Sequence, residues 1–510
     1  MAKLTVGNIY TILSCCDTKV LDLFKESMRY QNEFFRRKAS NFRIPEHTYM
    51  ISNKGVFYTG LLNLAVKILK EHEIDFEIED SRPFTKHPDP ETAITTFLDM
   101  PLKPRDYQLE AFVKGLKRVR GIFDLPTSAG KTVIIGGLIK AWGLKTLVLL
   151  KSKDLANQIR QELSEMYNIP KSEIGYIGSG IYKPKHITVG LVGSLSSTKS
   201  SDLDKIKEVE KYLKSVEAIF VDEVHNAKSA SYKKVFDNTP KATVRFGFSA
   251  TPEGSKIKVQ AGEDKVSTDI ILHSYVGPKI FKISTKDLAS KGYLSIPKIV
   301  MVNNDIKCDD IMLDFDEEYD RFIVKSKIRN KIICDIVHAH YINGDSVIGF
   351  VVNISHGKSL ARKLINEYNI PKDHFRFVHG NSSDREESLK DFKDGKLPIL
   401  FGTVLNEGLN FMPNVGINIS GNESEKYAKQ RLGRILRKPK DLSTGDVDLD
   451  KINRVTYYDF ADNGHFIFSR HSCERYDTYR NEGHEIIHAP TENIAAFIQK
   501  EREVKDGSQD

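Results

Sequence analysis

Apolar and polar positions divide the chain into three regimes. From Met1 to about residue 95, short apolar stretches alternate or recur at helical spacing. Residues 60–73 (GLLNLAVKILKEHE) set Leu61, Leu64, Ala65, Ile68 and Leu69 on one face, which predicts an amphipathic helix. The following IDFEIED alternates apolar with acidic residues and predicts a strand with one wet face. The proline-rich SRPFTKHPDPETAITTFLDMPLKP then predicts a linker. From Asp106 the texture changes. Short β-branched runs (GIFDL, TLVLL, ITVGLVGSL, AIFVDE, TVRFGFSA) alternate with helical segments, and the style returns from about Asp345 (SVIGFVV, FRFVHG, PILFGT, VGINIS, RVTYYDF). Strands separated by helices are the mark of a parallel sheet with crossover helices. The pattern therefore predicts an α/β chain with two parallel-sheet domains in series behind a small N-terminal α+β domain. The expected spans are 1–95, 96–280 and 281–490, with a frayed tail at 491–510. A hinge is expected in the weakly patterned 253–290 or shortly after.

Composition narrows the class. A chain of 510 residues suits about three domains. With 40% hydrophobic and 28% charged residues it can build sizeable cores, which excludes global disorder and small disulfide scaffolds. A net charge of +7 permits a polyanionic partner without demanding one. No apolar run approaches the roughly 20 residues that span a bilayer, and the N-terminus makes a poor signal peptide. The five cysteines form no C-x-x-C pair, which predicts reduced thiols in a cytoplasmic protein. Cys15 and Cys16 are expected to be buried in a helix.

Three motifs carry chemistry. Leu125-Pro-Thr-Ser-Ala-Gly-Lys-Thr132 follows an apolar run and precedes a helix, the setting of a phosphate-binding loop. Backbone N–H groups and the helix start would surround phosphates, Lys131 would add positive charge, and Thr132 would offer a hydroxyl to Mg²⁺. The strict pattern has Gly where Leu125 stands. In Ala218-Ile-Phe-Val-Asp-Glu-Val-His225 a hydrophobic run ends in two carboxylates. Asp222 suits Mg²⁺ held through water, and Glu223 suits orientation and deprotonation of an attacking water. Far downstream, Gln430-Arg-Leu-Gly-Arg-Ile-Leu-Arg437 repeats arginine at helical spacing, with Arg434 and Arg437 on a shared face. Taken alone, an acidic turn after a strand or a solvated basic helix would explain the last two equally well.

Together and in this order, the motifs resemble those of superfamily 2 helicases. Phe248-Ser-Ala-Thr-Pro252 resembles the Ser-Ala-Thr coupling motif, and Arg105-Asp-Tyr-Gln108 the adenine-reading element. Leu150-Lys-Ser-Lys-Asp-Leu-Ala-Asn-Gln158 resembles the first strand-gripping motif, with Lys151-Ser152 in place of Pro-Thr. Val378-His-Gly-Asn-Ser-Ser-Asp-Arg385 resembles the Gly-to-Arg element of the second domain. Phe401-Gly-Thr-Val-Leu-Asn-Glu-Gly-Leu-Asn410 resembles the motif that usually ends in Asp. The Asp-Glu-Val-His form and the small N-terminal unit are most similar to phage helicases of the UvsW type, which remodel branched DNA.

The resemblance implies two RecA-like domains with ATP and Mg²⁺ between them. Lys131, Asp222, Glu223, Gln430, Arg434 and Arg437 would be catalytic. Tyr107, Gln108, Thr127, Ser128, Ala129, Gly130, Lys131, Thr132 and Gly408 would hold nucleotide. His225, Ser249 and Thr251 would couple hydrolysis to motion. Lys151, Ser152, Gln158, Ser194, Asn353, His379 and Thr403 would meet nucleic acid, joined by Arg36 and Arg37 of the N-terminal unit. It further implies a monomer acting on single-stranded and branched DNA, with no membrane and with replication or recombination proteins as partners. An RNA helicase, and a translocase that does not separate strands, are the alternatives.

Other signals weigh less. His484 and His488 have ligand spacing for zinc, but Gly483 predicts a turn into a strand that parts them. The preceding HSCERYDTYRNEGHEI is expected to be a helix offering Arg470, Arg475 and Arg480 to phosphates or solvent. Asp75, Glu77 and Glu79 read as the wet face of a strand rather than a nuclease site.

Overall fold

The computed structural model describes the chain except residues 16, 32–46, 84, 198–202, 251–268, 296, 306–313, 404, 406–411, 422–424, 437–454 and 507–510. Arg36, Arg37, Thr251, Gly408, Asn410 and Arg437 thus lie outside the described residues. The chain forms two compact units, Met1–Ile283 and Ser284–Asp510.

The first unit opens with a four-stranded sheet ordered Val56–Tyr58, Tyr10–Ser14, Ala2–Val6, Phe76–Asp80. The last pair is parallel and the others antiparallel. Helices Thr18–Ser27 and Leu62–Glu71 bury Phe24, Ala65, Ile68 and Leu69 against Leu4, Val6 and Phe57. The amphipathic helix forms as its spacing predicts. The acidic strand differs from expectation: beyond Phe76 both of its faces are wet, and Ile78 is 45% exposed. It is an edge strand, and Glu79 instead reaches Lys3 at 3.0 Å. Cys15 also differs: it is half-buried ahead of the helix capped by Asp17, which begins at Thr18, three residues too late to hold it, and Cys16 lies outside the described residues.

The expected linker is part of the fold. Asp89 accepts from the Thr92 amide and Pro90 occupies the first turn, so helix Pro90–Leu98 starts in mid-segment. Phe97 then stacks on Phe112 at 4.1 Å, over the bare backbone of Gly137. Prolines that read as linker punctuation include a helix-start signal.

An eight-stranded sheet follows, in the order Ile181–Lys183, Ile174–Gly178, Ile187–Leu191, Thr146–Leu150, Ala218–Asp222, Val244–Ser249, Arg120–Asp124, Lys279–Lys282. All neighbours are parallel except the first pair. That hairpin turns on Ser179 and Gly180, both at positive φ, as a tight two-residue loop requires. Its strands and the edge strand Lys279–Lys282 were not marked by the apolar pattern.

The small sheet is docked on this one. Tyr58 donates to Asp237 at 2.9 Å and packs edge-on against Tyr275, with ring centroids 4.9 Å apart. Asn8 donates to the Pro240 carbonyl at 2.7 Å and accepts from buried Arg120 at 2.8 Å. A Cβ on Gly60 would lie 2.2 Å from the His273 carbonyl, so only glycine allows this approach. Ile270, just ahead in the same helix Ile270–Val276, packs into the core of the small sheet.

The second unit is built on a seven-stranded, all-parallel sheet: Phe375–Val378, Ile399–Gly402, Val347–Phe350, Val415–Asn418, Thr456–Asn463, Lys298–Asp305, Glu485–Ala489. Buried aliphatic side chains fill both of its faces. Such strands read as continuous apolar runs because they are covered on both sides. Helix Phe466–Asn481 forms as expected, and Gly483 at φ 78° turns the chain into Glu485–Ala489, parting His484 from His488.

Candidate active site

Register assembles the first unit's chemistry. Val244–Ser249 lies between Ala218–Asp222 and Arg120–Asp124, pairing Asp222 with Phe248 and Ser249 with Asp124. The carboxylates, Ser249 and the phosphate loop therefore lie side by side at the sheet's C-terminal edge, where parallel sheets carry their sites.

The loop runs from Leu125 to the helix Lys131–Trp142, with Ser128 at φ 74° and Gly130 at φ 71°. A Cβ on Gly130 would stand 2.5 Å from Gln108 Nε2. Leu125 keeps an ordinary negative φ, is fully buried and donates to the Ser249 carbonyl at 2.9 Å. Glycine is not required there, which explains the departure from the strict pattern. Tyr107 and Gln108 brace the loop from behind. The Tyr107 hydroxyl donates to the Ala129 carbonyl at 2.7 Å and Gln108 Nε2 donates to it at 3.0 Å. Gln108 Oε1 accepts from the Arg105 amide at 2.8 Å, so both ends of this amide are engaged within the protein.

Lys131 Nζ lies 3.2 Å from Glu223 Oε1 and 3.9 Å from Asp222 Oδ1. Glu223 sits at φ 50°, immediately past the strand end. Its other oxygen accepts from the Ser249 hydroxyl at 3.3 Å, and His225 Nδ1 lies 2.8 Å from that hydroxyl. Burial pushes the Asp222 carboxyl up, with the Lys131 ammonium pulling the other way. A triphosphate with its metal fits this donor set. Thr127 Oγ1 is buried without a protein partner, Ser128 and Gly130 take positive φ in the loop just ahead of the helix start, and one ammonium faces two carboxylates. Thr132 opens the helix beside Lys131.

Lys151, Ser152 and Gln158 follow strand Thr146–Leu150, with Ser152 capping the helix Lys153–Tyr167 at Leu155. Ser194 follows Ile187–Leu191. These residues share the sheet edge with the phosphate loop but stand three or more strands from it, at about 4.8 Å per strand.

In the second unit, Asn353, His379 and Thr403 follow three adjacent strands, Val347–Phe350, Phe375–Val378 and Ile399–Gly402. Asn353 caps the helix Ile354–Asn366, accepting from Ser355 and His356. Gln430 and Arg434 lie on helix Glu425–Ile435, 6% and 7% exposed. Arg475 corrects the sequence expectation. It is 1% exposed and donates to Asp459 at 2.9 Å, so it faces neither phosphate nor solvent. The signal was present: Phe468, Ser472, Arg475 and Tyr479 fall at helical spacing on one buried stripe. Arg329, Arg431 and Asp462, equally buried, were missed as well. Among the described residues no group of three or more His, Cys, Asp and Glu could hold a metal, and no helix is long and apolar enough to cross a membrane.

Two RecA-like parallel sheets, one ending in a phosphate loop and paired carboxylates, define the class of nucleotide-driven motors. Residues 101–254 match the family described as "Type III restriction enzyme, res subunit", and residues 309–439 match "Helicase conserved C-terminal domain". The chain is 26% identical over 406 residues to "DNA 3'-5' translocase XPB2" of Sulfurisphaera tokodaii, covering 72% of this chain and 84% of that one. It is 22% identical over 364 residues to "ATP-dependent DNA helicase uvsW" of Enterobacteria phage T4, covering 66% of each. Other curated relatives are longer, and the chain spans 45% of one and 32% of another. Among solved structures, a fragment of a putative HsdR subunit of a type I restriction enzyme from Vibrio vulnificus YJ016 shares the fold. Its TM-score is 0.55 at 16% identity, over 79% of this chain and 71% of that one. The chain belongs to the ATP-dependent helicases of superfamily 2.

Proposed function

We propose that this helicase acts on DNA and remodels branched substrates such as forks and junctions. The observation that carries this reading is the docking of the N-terminal sheet. Gly60, Tyr58 and Asn8 join it to the motor sheet within one compact unit, so each movement of the phosphate-loop lobe also moves an added α+β surface. A motor that grips backbone alone has no reason to carry such a surface. A relative of similar reach is named as a DNA helicase and another as a DNA translocase, which supports DNA over RNA.

ATP supplies the bond that is broken. In this reading Lys131 exchanges Glu223 and Asp222 for phosphate oxygens, and Thr132 and Asp222 would hold Mg²⁺, which would neutralise phosphate charge. Glu223, released from the lysine, orients the attacking water and takes its proton. Ser249 and His225, linked to Glu223 by hydrogen bonds, transmit its change of partner. Arg434 and Arg437 of the second unit neutralise charge developing on the transferred phosphoryl group, with Gln430 beside them. Lys151, Ser152, Gln158, Ser194, Asn353, His379 and Thr403 grip the strand through phosphates. ATP hydrolysis measured with single-stranded DNA, forks, four-way junctions and RNA as separate activators tests the proposal. Forks and junctions should stimulate most; equal stimulation by RNA would overturn it.

A further inference from the structure

Residues 419–421, directly after strand Val415–Asn418, lead toward the helix that carries Gln430 and Arg434. Their three successive carbonyls are each held by a side chain from a different helix. Arg329 donates to the Ile419 carbonyl at 2.7 Å, Tyr319 to that of Ser420 at 2.7 Å, and Arg475 to that of Gly421 at 3.0 Å. Gly421 is at φ 62°, and a Cβ there would stand 3.2 Å from Asp462 Oδ2 and 3.4 Å from Arg329 Nη2. The helix itself is tied to the same place. Arg431 donates to Asn418 Oδ1 at 2.7 Å and to Ser420 Oγ at 2.6 Å. Asn418 donates to Asp459 at 3.0 Å, and Asp459 also accepts from Arg475 at 2.9 Å and from the Tyr479 hydroxyl at 2.7 Å. A continuous relay thus joins helix Phe466–Asn481 to helix Glu425–Ile435.

Arg329, Arg431 and Arg475 are at most 1% exposed, as are Asp459 and Asp462. Among the described residues, three guanidiniums share two carboxylates. Apolar side chains of similar volume would fill such a space at equal or lower free energy. What guanidinium forks add is direction, since each fixes several acceptors at once.

We propose that this cluster is a positioning device for the arginine helix, with Arg475 and Asp459 as remote positioning residues that set the aim of Arg434. The inference rests on Arg434 acting in hydrolysis. A shift of the helix by an ångström should cost far more in turnover than in nucleotide binding.

Arg475→Lys keeps the charge and loses the fork; Tyr479→Phe removes one bond to Asp459. For Arg475→Lys, DNA-stimulated kcat should fall about tenfold or more while KM for ATP stays within about twofold. In an Arg434→Ala background neither substitution should lower kcat further, because the group being aimed is gone. A folded Arg475→Lys protein with wild-type kcat, beside a slow Arg434→Ala, would overturn the positioning role and leave the role of Arg434 standing. Wild-type kcat in both would overturn both. A loss that adds in full to that of Arg434→Ala would show that the cluster acts elsewhere and overturn the proposal. If Arg475→Lys fails to fold, Tyr479→Phe decides by the same cycle: a fall of about threefold that vanishes in the Arg434→Ala background is expected, and no fall, or an additive one, overturns it.

Discussion

At the C-terminal edge of the first sheet one lysine faces two carboxylates, while at the same edge of the second three arginines enclose two. The first cluster is partly open, its side chains 12 to 21% exposed, and its longest polar contact is 3.9 Å. The second is sealed, with bonds of 2.6 to 3.0 Å to strand ends and loop carbonyls. An open ammonium between carboxylates can change partners when an anion arrives, at little cost in reorganisation. A sealed guanidinium lattice cannot, and serves instead to fix a helix. Both sheets thus set cations against carboxylates, one cluster partly open, as the proposed exchange needs, and the other sealed, as the proposed orientation needs.

The sharpest way to break this contrast is Lys131→Ala. If exchange is its task, ATP hydrolysis should fall by at least about 10²-fold, with DNA binding nearly unchanged because that binding is spread over many contacts. Near-wild-type turnover would remove the exchange role. A smaller effect is expected at the neighbouring turn. Gly130→Ala must hold φ 71° and displace Gln108, so it should destabilise the unit by about 1–3 kcal/mol and weaken nucleotide binding. Thermal melting with and without nucleotide reads both, and an unshifted melting temperature would contradict the cradle.

Titration sharpens the comparison further. The raised Asp222 carboxyl, at about 6, keeps its proton in the folded state where an ordinary aspartate, at about 3.9, has lost it. Between those values the folded chain binds more protons than the unfolded one. The contribution of this group to stability therefore declines as pH rises from about 4 to about 6, and is constant above. Metal binding needs the ionised form, so kcat/KM for ATP, which reports the free enzyme, should rise through about pH 6, up to tenfold per unit below it. Asp222→Asn should be slow at every pH; a wild-type profile with no inflection there would reject the assignment. Smallest of all, Tyr58→Phe removes the bond to Asp237 and should cost about 1 kcal/mol of the first unit's stability, seen by denaturant unfolding.

What was legible in the sequence was contiguous. Leu125–Thr132 and Asp222–Glu223 are runs in which the strand, the turn and the reacting groups are neighbours along the chain, so pattern and chemistry coincide. The docking of the N-terminal sheet was not legible, because Tyr58 and Asp237 stand 179 residues apart. The same holds for Arg329 with Asp462, 133 residues apart, and for Arg431 with Asn418 on another element. Charged residues in such a cluster resemble solvated ones until the partner is known. Arg475 shows this: its helix was expected, its burial was not. The segment around Asp89 failed differently, since five prolines outweighed one capping aspartate in the pattern.

The central claim is that hydrolysis draws on the second unit's arginine helix as well as on the first unit's loop. Single-turnover hydrolysis by Arg434→Ala, at saturating single-stranded DNA and ATP, tests it most directly. The rate should be lower by about 10³-fold, with ATP affinity changed only a few-fold. Hydrolysis at the wild-type rate under those conditions would contradict it.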